Sequence, residues 1–213
     1  MGTSITDLLA AADGKRLVVF DLDNTLIDEW VYLRNAYAAV ARIASDGDER
    51  EALAIAEWLQ AEFRSSGRKN LFDRMAAAWP TASGNLASWL DAFRTAEMPL
   101  EMLSWVEPFC DGLVGVSFAI LTNGNADQQR NKFALLQRSG NCRPFRLYCA
   151  IETESKPSPA GLIRILQDHN CVPSDAVMIG DSEVDRICAE ATGVSFILAP
   201  NIPMRRSISR NNF

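Results

Sequence analysis

The stretch VVFDLDNTLID, residues 18–28, joins an apolar run to two aspartates that are separated by one residue. Residues 18–20 predict a strand that is buried on both faces, because the run is continuously apolar and rich in β-branched side chains. Asp21 and Asp23 follow at the point where this strand ends. Two carboxylates so close to an apolar run repel each other and lose hydration, which disfavours their charged forms. We therefore expect a bound cation beside this pair.

The rest of the chain carries further β-rich runs, and helical patterns separate the later ones. The predicted strands are residues 16–20, 116–122, 146–151, 176–180 and 194–198. Strands that alternate with helices predict a parallel sheet, because parallel strands need crossover connections that stack helices on the sheet. We therefore predict an α/β fold with a Rossmann-like parallel sheet core and helices on both of its faces.

The interval between the first two strands departs from this alternation. From Trp30 to about Met102 no strand is predicted, and the breakers SDGD, SSGR and PTASG separate about four helical patterns. These patterns cover residues 29–44, 48–64, 70–79 and 85–95. We therefore predict a core formed by residues 1–28 and 103–213, and an inserted α-helical cap formed by residues 29–102.

Length, charge and composition exclude several classes of protein. With 213 residues, of which 48% are hydrophobic, the chain can bury a substantial core. The net charge of −6 has the wrong sign for nonspecific binding to nucleic acids or anionic membranes. No secretory signal or membrane span is recognisable, so we expect a cytoplasmic protein, either a monomer or a homodimer. Five cysteines without CxxC spacing predict reduced thiols.

Polar residues cluster where the predicted strands end, which in a parallel sheet is the usual place for a binding site. These residues are Asp21, Asp23, Thr122, Asn123, Lys156, Asp181 and Asp185. Asp21 can attack a phosphorus atom as an ionised carboxylate, and Asp23 is near enough to move a proton to or from the reacting oxygen. Thr122, Asn123 and nearby backbone N–H groups, including that of Gly124, can bind phosphoryl oxygens, while the Lys156 ammonium neutralises charge.

Asp181 adds a further oxygen donor to this set. Clustered carboxylates suit a hard cation that prefers near-octahedral oxygen ligands, which indicates Mg²⁺. A dication would also relieve the repulsion between the first two aspartates and shield the nucleophile from an anionic substrate. The sequence therefore predicts a Mg²⁺-dependent phosphatase that acts on a small soluble phosphomonoester, such as a sugar phosphate or a nucleotide, through an aspartyl-phosphate intermediate.

Four segments resemble, in order, the four motifs of the haloacid dehalogenase-like hydrolase superfamily: FDLDNTLID, LTNG, KPSP and GDSEVD. The helical insertion after the first segment resembles the type 1 cap of that superfamily, and the resemblance extends from Arg16 to about Pro200. It implies that Asp21 is the nucleophile, Asp23 the acid/base, Thr122 a phosphate ligand and Lys156 a charge stabiliser.

The same resemblance implies the metal site. Asp21, the backbone carbonyl of Asp23 and Asp181 would contact the cation, and Asp185 would hold metal-bound water. An alternative for Asp185 is a solvent-exposed aspartate at a helix start, where the helix dipole favours it.

Other functions remain open at this stage. True haloacid dehalogenases resemble this chain but lack the second aspartate of the first motif, so Asp23 favours phosphoryl transfer. A phosphomutase or phosphotransferase would keep the pair and is the alternative enzyme. A catalytically silent binding protein is the third possibility.

Residues outside the four motifs are harder to assign. Glu29, Trp30 and Arg94 are candidates for binding the part of the substrate that does not react, although aromatic residues at helical spacing usually pack in a core. The basic stretches 128–132 and 203–212 are predicted to be solvent-exposed, with substrate contact by Gln129 and Lys132 as the alternative for the first.

Overall fold

The structure, a computed structural model, describes residues 3–140 and 143–200. Within them the chain forms two compact units: one takes the chain up to Glu29 and again from Pro99 onward, and the other is Trp30–Met98. The assignment of residues 29–102 as a cap stays a prediction. The basic stretch 203–212 and Cys142 lie outside the described residues.

The first unit contains a five-stranded sheet with the order β3-β2-β1-β4-β5. The strands are β1 (Leu17–Phe20), β2 (Ser117–Thr122), β3 (Arg146–Cys149), β4 (Ala176–Gly180) and β5 (Ser195–Leu198). All four neighbouring pairs are parallel, which confirms the predicted α/β fold. Because the strands are parallel, the residues that follow β1, β2 and β4 meet at one edge of the sheet.

The third strand is shorter than predicted. The run 146–151 ends its ladder at Cys149, and Ala150–Glu152 continues as a 3₁₀ helix. The reason lies in the register, since Cys149 pairs with Thr122, the last residue of β2. Beyond that pair β3 has no strand to bond to, so the backbone satisfies its polar groups locally.

Among the described residues, five helices belong to the first unit. They are α1 (Ile5–Ala12), α6 (Val106–Asp111), α7 (Ala126–Arg138), α8 (Ala160–Asp168) and α9 (Glu183–Thr192), and the four helices between α1 and α6 form the second unit. Three of the five, α1, α7 and α9, begin at a side-chain cap supplied by Ser4, Asn125 and Ser182. One apolar cluster joins the sheet to α8 and α9 through side chains such as Val19, Leu121, Met178, Ile165 and Cys188. This packing fixes the positions of the strand ends.

The second unit consists of the helices α2 (Glu29–Ala44), α3 (Glu49–Ser66), α4 (Leu71–Ala78) and α5 (Leu86–Arg94). Each lies within two residues of a predicted helical pattern, because N-cap residues such as Asp48 and Asn85 precede the apolar periodicity. Its own core combines aliphatic and aromatic side chains, with Tyr37 stacked on Phe93 at a ring-centroid distance of 5.5 Å. In the described part of the chain, no helix has both the length and the apolar character needed to cross a membrane.

Candidate active site

Three carboxylates meet at the carboxyl edge of the sheet. Asp21 follows β1, Asp181 follows β4, and Asp185 lies in the first turn of α9. One oxygen from each lies within 4.8 Å of the others. The Asp21 backbone N–H donates to the Ile179 carbonyl oxygen at 2.9 Å, which continues the β1–β4 ladder past the end of β1. The adjacency of the two central strands therefore brings together residues that are 160 positions apart in the chain.

Lys156 links this cluster from the opposite side of β1. Its ammonium donates to Oδ1 of Asp21 and to Oδ1 of Asp185, both at 2.6 Å, and to the Leu121 carbonyl oxygen at 2.8 Å. All three donors of the ammonium are thereby used, and the side chain is almost fully buried. The predicted charge stabiliser thus lies in direct contact with the predicted nucleophile.

Asn123 holds the backbone of Lys156. The Asn123 Oδ1 accepts from the Lys156 N–H at 2.8 Å, and its Nδ2 donates to the Lys156 carbonyl oxygen at 2.9 Å. Both ends of this amide are engaged in fixing the lysine. Binding of substrate by Asn123 stays a prediction, and its side chain has a positioning contact that the sequence analysis did not anticipate.

The electrostatics of the cluster follow from burial and charge together. Burial raises the pKa of Asp21 to about 8, the Lys156 ammonium opposes this rise, and the negative charges of Asp185 and Asp23 add to it. Burial acts to lower the pKa of Lys156, but the charges of Asp21 and Asp185 outweigh it and raise that pKa overall. Three acidic groups around one lysine leave an excess of negative charge, and their oxygen donors fit a hard divalent cation.

Asp185 is held rigidly inside the site. Its side chain is buried, so the alternative of a solvent-exposed aspartate at a helix start is wrong. The Ser182 N–H donates to Oδ2 of Asp185 at 3.2 Å, and Ser182 Oγ accepts from the Asp185 N–H at 3.3 Å, which together form a capping box for α9. The Ser182 hydroxyl also donates to that Oδ2 at 2.5 Å. One carboxylate oxygen thus caps the helix while the other contacts Lys156.

Gly180 creates the space that Asp185 occupies. A Cβ at position 180 would lie 2.6 Å from the Cβ, the Cγ and the Oδ2 of Asp185. Gly180→Ala is therefore expected to displace that side chain and to lower the free energy of unfolding by about 1–3 kcal/mol, the usual cost of overpacking. Urea unfolding checks this value. In an Asp185→Gly background, which removes all three of these atoms, the same change should cost much less, and an equal cost in both backgrounds would contradict the proposed clash.

Asp23 lies apart from the three-carboxylate cluster. Its carboxylate accepts from the Lys132 ammonium at 2.7 Å on both oxygens and from Nε2 of Gln129 at 3.2 Å. The prediction that residues 128–132 face solvent is wrong for Gln129 and Lys132, because both side chains are buried. The sequence did contain an indication of this burial. Positions 129, 132 and 136 lie on one face of α7, and the apolar Leu136 indicates that this face is buried.

The remaining phosphate-binding candidates form the turn between β2 and α7. Thr122 is buried, and its hydroxyl donates to the Asn123 carbonyl oxygen at 3.3 Å. Gly124 has a φ of +117°, and a Cβ there would lie 2.7 Å from Nε2 of Gln129. Only glycine combines this backbone conformation with that close approach. Contacts of Thr122 and Gly124 with a substrate stay predictions.

The three specificity candidates have the following contacts. The Glu29 backbone N–H donates to Oδ1 of Asn24 at 3.3 Å. The Trp30 ring stacks on Phe63 with the centroids 6.1 Å apart and lies under the Arg64 guanidinium, 4.3 Å from the ring centroid. The Arg94 carbonyl oxygen accepts from the Tyr32 hydroxyl at 2.9 Å. Trp30 thus packs within its own unit, and the substrate-binding roles of Glu29, Trp30 and Arg94 stay predictions.

Comparisons with known proteins place this arrangement in context. A family model described as haloacid dehalogenase-like hydrolase matches residues 18–199, a range that contains every predicted site residue. Phosphoglycolate phosphatase 1 of Pseudomonas aeruginosa is 28% identical over 187 residues, which cover 84% of this chain and 67% of that protein.

Solved structures share the fold. The HAD-hydrolase YfnB of Bacillus subtilis, described as bound to magnesium, has a TM-score of 0.58 at 17% identity, with 89% of this chain and 90% of that chain covered. A 2-haloacid dehalogenase from Pseudomonas syringae has a TM-score of 0.57 at 22% identity, with 86% of each chain covered. At these identities the likeness concerns the fold alone.

Proposed function

The chain belongs to the haloacid dehalogenase-like hydrolase family and is a hydrolase of phosphoric monoesters, and we propose that it transfers the phosphoryl group of a small soluble ester to Asp21 in a Mg²⁺-dependent reaction. The observation that carries this proposal is the environment of Asp21. Its Oδ1 contacts Lys156, whereas no residue in the described ranges hydrogen-bonds to its Oδ2. A carboxylate oxygen beside a buried ammonium and two further carboxylates suits attack on a phosphorus atom next to a cation.

The reaction follows from the roles of the protein's own residues. Oδ of Asp21 forms a bond to phosphorus as the bond from phosphorus to the ester oxygen breaks, and Asp23 gives its proton to the leaving oxygen. Asp23 then takes a proton from water, which attacks the aspartyl phosphate and releases inorganic phosphate. Lys156 and the Thr122 hydroxyl stabilise the charge on the phosphoryl oxygens throughout.

Asp21, Asp181 and Asp185 would hold the cation, in keeping with the oxygen-only donor set of their cluster. When bound, Mg²⁺ supplies positive charge that offsets the repulsion between an anionic substrate and an anionic nucleophile. Asp23 favours phosphoryl transfer over carbon–halogen cleavage, because displacement of a halide needs no proton donor.

A panel of phosphorylated metabolites tests the proposal. We expect the wild-type protein with Mg²⁺ to release inorganic phosphate from one or more esters, to stop in EDTA and to recover when Mg²⁺ is restored. Because a Pseudomonas aeruginosa relative is a phosphoglycolate phosphatase, 2-phosphoglycolate belongs in the panel beside sugar phosphates and nucleotides. Turnover that EDTA leaves unchanged would contradict the metal requirement.

Product analysis separates the alternatives. An isomerised phosphate without inorganic phosphate would identify a phosphomutase. Halide release from 2-haloacids without phosphatase activity would identify a dehalogenase. Absence of turnover with every class would favour a binding protein.

A further inference from the structure

We propose that Lys132, with Gln129, is a positioning residue that fixes the carboxylate of Asp23 for protonation of the leaving oxygen. This inference rests on the proposed function and adds to it a residue outside the four sequence motifs. Lys132 acts through Asp23 and does not itself contact the reacting atoms.

The contact between Lys132 and Asp23 is unusually constrained. The ammonium lies 2.7 Å from both carboxylate oxygens. The Lys132 side chain is 1% exposed, whereas that of Asp23 is 19% exposed. An exposed lysine could exchange its partner for water, but a buried one has to keep it, because an unpaired buried charge is strongly unfavourable. The ion pair therefore fixes the carboxylate while one side of it stays accessible.

Gln129 supplies a second restraint from the same helix. Its Nε2 donates to Oδ2 of Asp23 at 3.2 Å and to the Asn123 carbonyl oxygen at 2.7 Å. Gly124 permits this approach, since a side chain there would collide with the Gln129 amide. Gln129 and Lys132 are three residues apart and so project from one face of α7. The first turns of α7 thus connect the loop after β2 to the acid/base candidate after β1.

The loop that carries Asp23 explains the need for such restraints. β1 has ended at Phe20, and the Leu22 carbonyl oxygen already accepts from the N–H groups of Leu26 and Ile27 in a tight turn. Asp23 thus lies in this turn, in a local bridge with Ile27, and outside the ladder of the sheet. A general acid has to lie within hydrogen-bond reach of the oxygen that it protonates. Each carboxylate oxygen has two lone pairs, so an oxygen of Asp23 that accepts from Lys132 or Gln129 keeps a second lone pair for the substrate.

This role predicts a selective defect. An alkyl phosphate has a poor leaving group that requires the proton, whereas p-nitrophenyl phosphate has a good leaving group that departs without it. We therefore expect Lys132→Met to lower kcat/KM for an active alkyl phosphate by about 10²-fold, the low end of the range for general acid catalysis. For p-nitrophenyl phosphate the loss should be several-fold at most. The ratio kcat/KM is used because it reports formation of the aspartyl phosphate and excludes the later attack of water.

The controls separate positioning from folding. Lys132→Arg retains the cation and should recover much of the activity toward the alkyl ester. Arg130→Met removes an exposed cation from the same helix, one that pairs with Glu152, and should leave both substrates unaffected. Gln129→Met keeps the ion pair and should show the same selectivity at a smaller magnitude, so this variant provides the test even if Lys132→Met does not fold.

A double variant completes the experiment. In an Asp23→Asn background, adding Lys132→Met should change kcat/KM for the alkyl ester by less than the single change does, because both act on one proton transfer. The inference would be overturned if Lys132→Met lowered kcat/KM equally for the two substrates. It would also be overturned if the loss caused by Lys132→Met were fully additive to the loss caused by Asp23→Asn. A wild-type protein that hydrolyses no phosphate ester would instead overturn the proposed function, so the two failures are distinguishable.

Discussion

Asp21→Asn is expected to lower turnover of the active phosphate ester by more than about 10⁴-fold, the scale seen when a covalent nucleophile is removed. The amide is neutral and a poor nucleophile, so the aspartyl phosphate cannot form. The contact with Lys156 and the packing around position 21 should survive, because asparagine has nearly the same shape. Phosphate release measured at saturating Mg²⁺ checks this result. Asp13→Asn, which changes an exposed aspartate, is the matched control and should retain full activity.

The stability of the same variant provides an independent test. Because burial raises the pKa of Asp21 from 3.8 to about 8, the folded protein binds this proton more tightly than the unfolded chain does. The resulting stabilisation is complete below about pH 4 and is lost as the pH rises towards about 8. Asp21→Asn should therefore gain stability relative to wild type over this interval in metal-free buffer. Urea unfolding with EDTA measures it, and identical pH dependence of the two proteins would contradict the assigned burial effect.

Lys156→Met is expected to produce the second large effect, in both rate and stability. Loss of the ammonium removes charge stabilisation from the phosphoryl oxygens, which should lower kcat/KM on the order of 10²–10³-fold. It also leaves Asp21 and Asp185 buried without their shared cation, at a cost of about 3–5 kcal/mol in unfolding free energy.

Added Mg²⁺ separates the two effects of Lys156→Met. The cation should restore part of the lost stability, since it offsets the same negative charge, without restoring the rate. Lys69→Met, at an exposed lysine, should be neutral in both measurements. Unfolding curves that superimpose on those of wild type would show that the lysine does not compensate the buried carboxylates.

The sheet and the strand-end residues were predictable because both follow from short-range patterns. Continuous apolar runs predicted the strands, and the polar residues directly after β1, β2 and β4 predicted the edge at which the site lies. The end of β3 was not predictable in this way, since it depends on where its neighbour β2 stops. The end of β3 is therefore determined by the pairing register of β3 and β2 and not by the sequence of residues 146–151 itself.

The arrangement within the site was predicted less completely. The sequence places Asp21 and Asp23 together, but the turn at Leu22 separates their carboxylates, and Asp21 groups with Asp181 and Asp185 instead. Gln129 and Lys132 were assigned to solvent because polar side chains usually are exposed. Their burial depends on the partner that tertiary structure supplies, the Asp23 carboxylate, which is more than 100 residues away in the chain.

The central claim is that Asp21 accepts the phosphoryl group. Trapping that intermediate tests the claim most directly. The Asp23→Asn variant, incubated with p-nitrophenyl phosphate, should accumulate the aspartyl phosphate, because the ester needs no acid and the variant lacks the base for water attack. Rapid quenching, borohydride reduction and peptide mass spectrometry then locate it. The account predicts conversion of Asp21 to homoserine, whereas a reduced residue at another position, or unmodified Asp21 during continuing turnover, would contradict it.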